Sequence, residues 1–168
     1  MGLKSMSNNI VLIGFMGSGK TTIGREVARL KQTILLDTDS ILEVNAGMSV
    51  NEIFSKFGEA HFREMEVSLC EFIRKNVSNA VIATGGGIPV NYDLREIGSV
   101  FYLQSPIEAL KERILEDKSN VRPLFSRFEL AEELYKRRIH HYEKQADFTL
   151  NALDSITQIS KRICDLYL

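Results

Sequence analysis

Residues Gly14–Thr21 read GFMGSGKT and match the pattern GxxxxGK[ST]. They directly follow the apolar run Ile10–Ile13 and precede a helical pattern with apolar residues at Ile23, Val27 and Leu30. Glycines let the backbone curl so that successive N–H groups face inward, and the positive end of the following helix also attracts anions. The segment therefore predicts a phosphate-binding loop between a strand and a helix. The alternative is a glycine-rich turn that holds no ligand.

Two side chains of this loop suit ATP and magnesium. We expect Lys20 to reach the β- and γ-phosphates, and the Thr21 hydroxyl to bind Mg²⁺, which spreads the charge that builds during transfer. Phosphate binding alone does not separate a kinase from a GTPase, a motor ATPase or a regulatory switch. The predicted nucleotide-binding residues of the loop are Gly17, Ser18, Gly19, Lys20, Thr21 and Thr22.

Short apolar runs alternate with longer helical patterns along the whole chain, which is typical of βαβ units. We therefore predict an α/β fold, a three-layer α/β/α sandwich around a five-stranded parallel sheet, in a single domain over residues 1–168. Ligands should bind at the carboxyl ends of the strands. The predicted strands are Ile10–Ile13, Ile34–Leu36, Ala80–Ala83, Val100–Leu103 and Phe148–Leu150.

Several residues mark helix ends. Ser49 and Glu52 form a capping-box pattern, and Gly58 suits a helix stop. Ser105 is expected to cap a helix that has Pro106 at its first position.

Composition narrows the class of protein and its partners. The formal net charge is −1, from 21 basic and 22 acidic side chains, so no global field attracts nucleic acid or an anionic membrane. The longest apolar run is far too short to span a bilayer, and no signal-peptide pattern opens the sequence. Cys70 and Cys164 lie far apart and are interpreted as reduced thiols. We expect a cytoplasmic monomer that acts on a small molecule.

Two aspartates follow the second predicted strand, in Leu36-Asp37-Thr38-Asp39. Alternation along an extended chain would point both carboxylates the same way. One could lie near Mg²⁺ through water, and the other could accept a hydrogen bond from a substrate hydroxyl. In the alternative interpretation, Asp39 only caps a helix that starts at Ser40.

A triple glycine, Gly85–Gly87, follows the third predicted strand. Without side chains it leaves backbone N–H groups open to a second small molecule, although a flexible turn is the alternative. Arg63 and Glu66 are three residues apart on one helical face and can meet, while Arg138 lies on a later helix. Single arginines are otherwise most often solvated surface charge.

Residues 116–128 lack periodicity, and Pro123 blocks a helix through them, so this segment is the predicted mobile lid. Together with the phosphate loop, the motifs Asp37-Thr38-Asp39, Phe62-Arg63, Gly85–Gly87, Arg122-Pro123-Leu124 and Arg138 resemble those of shikimate kinases in type and order. The likeness spans nearly the whole chain. It implies a fold similar to P-loop nucleoside monophosphate kinases.

The resemblance implies transfer of the ATP γ-phosphoryl group to the 3-hydroxyl of shikimate, a step toward chorismate and the aromatic amino acids. Asp39 would then hold the reacting hydroxyls, either removing a proton or only positioning them. Asp37 would bind Mg²⁺ through water, and Arg122 would close over the phosphates. The implied catalytic residues are Lys20, Asp39 and Arg122, and the implied acceptor-binding residues are Asp39, Arg63, Gly85, Gly86, Gly87 and Arg138, with Glu66 orienting Arg63.

Phe125 replaces a leucine that the family more often carries in the lid, which would alter packing rather than chemistry. Adenine contacts match only by approximate position, at Arg113 and near Asn151. Two rival functions stay open. One is a related small kinase acting on gluconate or a nucleoside monophosphate, and the other is a nucleotide-binding module without catalysis.

Overall fold

A computed structural model describes residues 8–116 and 128–167 of the chain. They form a five-stranded, all-parallel sheet in the order β2-β3-β1-β4-β5, so the predicted fold class and strand number are confirmed. The strands are β1 (Ile10–Ile13), β2 (Leu35–Asp37), β3 (Val81–Ala83), β4 (Ser99–Gln104) and β5 (Phe148–Asn151).

Outside β1, each predicted strand differs from the observed one by a single residue at one or both ends. Ile34 lies outside β2 and is 60% exposed, whereas β4 starts one residue early and extends to Gln104. The central strand β1 pairs with two neighbours, Ile10 lying opposite both Val81 and Ser99. This register brings the carboxyl ends of β1, β2 and β3 to one edge of the sheet.

Helices cover both faces of the sheet. Apart from a 3₁₀ turn at Leu94–Glu96, the described helices are α1 (Lys20–Leu30), α2 (Thr38–Ala46), α3 (Val50–Asn76), α4 (Ile88–Asn91), α5 (Ile107–Glu116), α6 (Phe128–Gln145) and α7 (Ile156–Leu166). None of the helices within the described ranges has the length and apolar character that crossing a membrane requires.

Successive side chains of β1 point to opposite faces and so belong to separate cores. Ile10 and Leu12 pack with α1 and α7, whereas Val11 and Ile13 pack with α3, α5 and α6. All four side chains are almost fully buried, and burial of each contributes about 1.5–3 kcal/mol. The three-layer sandwich therefore follows from a strand that is apolar on both faces.

The predicted helix ends are partly confirmed. Ser49 and Glu52 form the reciprocal capping box at the start of α3. Gly58 has φ 84° and ψ 168° and interrupts the helical path within α3, where the chain kinks and then resumes as a helix. The prediction that Ser105 caps α5 is wrong, because its buried Oγ has no hydrogen-bond partner among the described residues. Instead, the Pro106 carbonyl accepts the Leu110 N–H at 3.2 Å.

Candidate active site

Three glycines with positive φ, Gly14, Gly17 and Gly19, give the loop after β1 its shape. Gly14 has φ 151°, and a Cβ there would lie 2.8 Å from the Leu103 carbonyl oxygen. Gly19 has φ 88° and precedes α1 with no side-chain cap on that helix. The N–H groups of the first turn of α1 are therefore open to an anion, as a phosphate-binding loop requires.

Lys20 lies over this loop. Its Nζ donates to the carbonyl oxygens of Gly14 at 2.8 Å and Phe15 at 3.0 Å, with Ser18 Oγ at 3.5 Å. Ser18 is buried, whereas Thr21 and Thr22 are exposed on the first turn of α1. The predicted nucleotide residues Gly17 to Thr22 thus share one loop and one helix start.

Asp37 connects the second strand to the loop. Its Oδ2 accepts a hydrogen bond from Thr21 Oγ1 at 2.6 Å, and its Oδ1 accepts the Ser40 N–H at 3.1 Å. Asp37 is therefore the N-cap of α2, so the alternative that Asp39 caps this helix is wrong.

The extended-chain argument that pointed both aspartates the same way is also wrong, because α2 begins at Thr38. Asp39 lies in the first helical turn and faces Gly85 instead of Thr21. A Cβ on Gly85 would lie 2.6 Å from Asp39 Oδ1 and 2.9 Å from Glu66 Oε1. The N–H of Gly85 donates to Thr38 Oγ1 at 2.8 Å, which ties the triple glycine to α2.

Arg63 lies against Gly87, where its guanidinium fills the space that a Cβ would need. It pairs with Glu66 at 2.6 Å and with Glu59 at 2.9 Å, so the predicted contact with Glu66 is present. Burial lowers the pKa of Arg63, and the hydrogen bonds and charges of the two glutamates outweigh it, so the pKa is raised overall. Arg63 is thus a fixed cation.

Glu66 is 1% exposed, and its Oε1 has no hydrogen-bond partner among the described residues. Burial raises the pKa of Glu66; the pairing with Arg63 opposes this, and the charge of Asp39 adds to it. The Glu66 carboxylate therefore serves Arg63 with one oxygen and faces Gly85 with the other.

Arg138 completes the group from α6 and is largely buried. A Cβ on Gly86 would lie 3.4 Å from Arg138 Nη1 and 3.5 Å from the Gly14 carbonyl oxygen. Burial lowers the pKa of Arg138, and the positive charge of Arg63 lowers it further. Two cations that repel each other beside the triple glycine are suited to an anionic group between them.

The structure thus brings the predicted residues of the phosphate loop, β2, α3, the triple glycine and α6 to one edge of the sheet. Arg122 and the predicted lid around it lie outside the described residues. Arg113 Nη2 donates to the Ala152 carbonyl at 2.7 Å, which brings Arg113 close to Asn151. Sequence reasoning missed Tyr142, although its position four residues after Arg138 places both on one helical face.

The donor set around Thr21 and Asp37 fits Mg²⁺ better than a transition metal. Within residues 8–116 and 128–167, no three His, Cys, Asp or Glu side chains converge to hold a metal. Mg²⁺ is usually held by one or two carboxylates together with water and phosphate oxygens. The Asp37 carboxylate and the Thr21 hydroxyl, beside a phosphate-binding loop, match this coordination preference.

Known proteins resemble this chain in both sequence and structure. The family model described as shikimate kinase matches residues 16–167. A shikimate kinase of Helicobacter hepaticus is 48% identical over 157 residues, 94% of each chain.

Two solved structures superpose over nearly the whole chain. The shikimate kinase of Acinetobacter baumannii in complex with shikimate has a TM-score of 0.84 and 31% identity, over 97% of this chain and 93% of its own. The shikimate kinase of Bacteroides thetaiotaomicron has a TM-score of 0.85 and 30% identity, over 94% and 97%. With a family match across most of its length and these relatives, the chain belongs to the shikimate kinase family.

Proposed function

We propose that this protein transfers the γ-phosphoryl group of ATP to the 3-hydroxyl of shikimate, giving shikimate 3-phosphate and ADP on the route to chorismate and aromatic amino acids. Membership of the shikimate kinase family supports this, as does the bound shikimate of the Acinetobacter baumannii relative. The observation that carries the proposal is the position of Gly86, which lies between the phosphate-loop carbonyl of Gly14 and the guanidinium of Arg138. Donor and acceptor sites therefore adjoin each other.

Arg63 and Arg138 are proposed to grip the carboxylate of shikimate. Both are cations, both lie against the triple glycine, and guanidinium groups bind carboxylates through paired N–H donors. Glu59 and Glu66 hold Arg63 in a fixed direction before the acceptor arrives. Preorganised donors bind more tightly because little side-chain freedom is lost on binding.

Asp39 is proposed to position the reacting hydroxyl. Its carboxylate faces Gly85, on the side of the sheet edge where the arginines lie. As the hydroxyl oxygen bonds to the γ-phosphorus, the bond from phosphorus to the β–γ bridging oxygen breaks and the hydroxyl proton must leave. A carboxylate in hydrogen-bond reach of that hydroxyl aligns it and offers an oxygen for the proton.

Gly17, Ser18, Gly19, Lys20, Thr21 and Thr22 are proposed to hold the phosphates of ATP, with Arg122 closing over them. The start of α1, which no side chain caps, suits anionic oxygens. The ammonium group of Lys20 already contacts two carbonyl oxygens of the loop, so it lies close to any phosphate bound there. The cation neutralises charge on the transferred group.

Thr21 would hold Mg²⁺ directly and Asp37 through water. Their 2.6 Å contact keeps the two oxygens together at the mouth of the loop. When bound, the ion would offset the negative charge that develops during transfer.

A coupled assay of ADP release tests the proposal with shikimate, gluconate and nucleoside monophosphates as acceptors. We expect turnover with shikimate alone, and mass spectrometry should find a product heavier by one phosphoryl group. Turnover with gluconate or a nucleotide, and none with shikimate, would identify the rival kinase. ADP release that ignores every acceptor would indicate a switch, and no release at all would indicate a noncatalytic module.

A cytoplasmic location and a monomeric state belong to the same proposal. Cys70 and Cys164 are free thiols, which suits a reducing compartment. We expect the protein to act as a monomer. Light scattering after size exclusion should give a mass near 19.0 kDa.

A further inference from the structure

The hydroxyl of Tyr142 is buried beside the acceptor site. Tyr142 is 0% exposed, and its hydroxyl donates to the Gly86 carbonyl at 2.7 Å. Gly86 is the middle residue of the triple glycine that faces both arginines. The hydrogen bond therefore joins the core of α6 to the backbone of the acceptor site.

The same hydroxyl also contacts Arg138, one turn earlier on α6. The positive guanidinium of Arg138 and the hydroxyl interact electrostatically, while the hydroxyl proton goes to Gly86. Burial raises the pKa of Tyr142 to about 12, so the hydroxyl keeps its proton at neutral pH and remains a donor. The hydroxyl is thus bonded to a backbone carbonyl and lies near a proposed carboxylate-binding cation.

The geometry around Gly86 makes this connection directional. A Cβ there would lie 3.6 Å from the Tyr142 hydroxyl and 3.4 Å from Arg138 Nη1, so all three groups meet at one point. A trans peptide is planar, with its C=O and N–H pointing in opposite directions. Holding the Gly86 carbonyl toward Tyr142 therefore also sets the direction of the Gly87 N–H.

We propose that Tyr142 is a positioning residue for the acceptor, which holds the Gly86–Gly87 peptide and the Arg138 guanidinium in the arrangement that receives a carboxylate. The inference rests on the proposed function, since it assumes an anionic acceptor at the triple glycine. Tyr142 acts through Gly86 and Arg138 and does not touch the transferred phosphoryl group.

The test compares Tyr142→Phe with Tyr135→Phe. Tyr135 lies on the same helix, and its hydroxyl also donates to one backbone carbonyl, that of Ser105 at 3.0 Å, away from the triple glycine. Each variant loses one hydroxyl and keeps its ring, including the packing of Tyr142 on Tyr102 at 5.3 Å. The pair therefore differs in which carbonyl loses its partner.

We expect Tyr142→Phe to raise the KM for shikimate about three- to tenfold, the loss typical of one hydrogen bond, with the KM for ATP changed by less than about twofold. The dissociation constant for shikimate without nucleotide, from titration calorimetry, should rise by the same factor. Tyr135→Phe should leave both constants within about twofold of wild type.

Three results would overturn the inference. They are an unchanged KM for shikimate in Tyr142→Phe, equal rises for shikimate and ATP, and a Tyr142→Phe chain that does not fold, since the hydroxyl would then serve stability. These results count against the inference only if the wild-type protein phosphorylates shikimate. A wild-type protein that does not phosphorylate shikimate would instead remove the proposed function and the inference with it.

Discussion

Thr21 Oγ1 donates to Asp37 Oδ2 at 2.6 Å, which joins the last residue of the phosphate loop to the end of the second strand. The other oxygen of Asp37 accepts the Ser40 N–H and starts α2. One carboxylate thus has a place both at the proposed Mg²⁺ site and at the start of the helix that carries Asp39. These two roles can be separated, because a neutral Asn also caps helices well.

Asp37→Asn should therefore keep the fold and weaken Mg²⁺ binding. We expect the Mg²⁺ concentration for half-maximal activity to rise about tenfold or more at fixed ATP, since the site loses its negative charge. The unfolding temperature should change little, and Mn²⁺ binding measured by electron paramagnetic resonance should weaken in parallel. Asp93→Asn is the matched control, because Asp93 also caps a helical turn, at Arg95. An unchanged Mg²⁺ dependence would contradict the assignment of Asp37.

Arg63→Ala should weaken the binding of the acceptor far more than that of ATP. Losing a charged hydrogen-bond donor removes about 1.5–3 kcal/mol, so we expect the KM for shikimate to rise roughly 10- to 100-fold. Arg74→Ala is the control on the same helix, since Arg74 also pairs with a glutamate, Glu71, at 2.8 Å. Steady-state kinetics with each substrate varied gives both constants. Equal rises for shikimate and ATP would argue against a carboxylate partner for Arg63.

The β1 strand and its loop could be predicted from sequence because their signals are local. An apolar run, a glycine pattern and a helical period lie side by side in residues 10–30, and β1 has the bounds that were predicted. The direction of Asp39 could not be predicted in this way. It depends on α2 beginning at Thr38, where the side chain of Asp37 takes the capping bond and the chain stops being extended.

Contacts between segments that are distant in the sequence could not be predicted either. The Tyr142 hydroxyl bonds to Gly86, 56 residues earlier. The residue pattern of α6 does not predict that partner. The pairing of Arg63 with Glu66 was within reach because three residues in a helix place the two side chains on one face. Contacts between residues close in sequence could therefore be predicted, whereas contacts between distant residues could not.

Glu66→Gln should stabilise the fold as pH rises. Burial raises the folded-state pKa of Glu66 above its usual 4.5, so above that pH the unfolded chain ionises first and wild-type stability falls. Glutamine has nearly the same shape and does not ionise, so the variant does not lose stability in this way as pH rises. The unfolding temperature of the variant minus that of wild type should therefore grow from near zero below pH 4.5 to a positive value at pH 7.

The same substitution should raise the KM for shikimate, because a neutral amide orients Arg63 less firmly than the charged carboxylate of Glu66 does. Calorimetric scans from pH 4 to pH 8 and kinetics at pH 7 provide the two readouts. Glu59→Gln is the control, as Glu59 pairs with the same arginine at 2.9 Å but its side chain is 65% exposed. A variant less stable than wild type at pH 7 would show that the charge of Glu66 favours folding.

Gly98 lies just before β4 and against the backbone of Asn9. A Cβ on Gly98 would lie 2.8 Å from the Asn9 carbonyl carbon, and the carbonyl oxygen of Asn9 is also in the way. Asn9 is fully buried, and its side chain donates to Val77 and Ile97 and accepts from Ala80. That backbone is therefore fixed from three sides and has little room to move.

Gly98→Ala should consequently destabilise the protein by about 1–3 kcal/mol, as overpacking does in a fixed core. Urea unfolding followed by circular dichroism gives the free energy of unfolding. Ser99→Ala is the neighbouring control, because the Ser99 N–H bond to Asn9 at 3.0 Å belongs to the backbone and survives the change. We expect a smaller loss in that variant. If Gly98→Ala has the same urea midpoint as wild type, the prediction is contradicted. The backbone at the start of β4 would then be able to move away from Asn9.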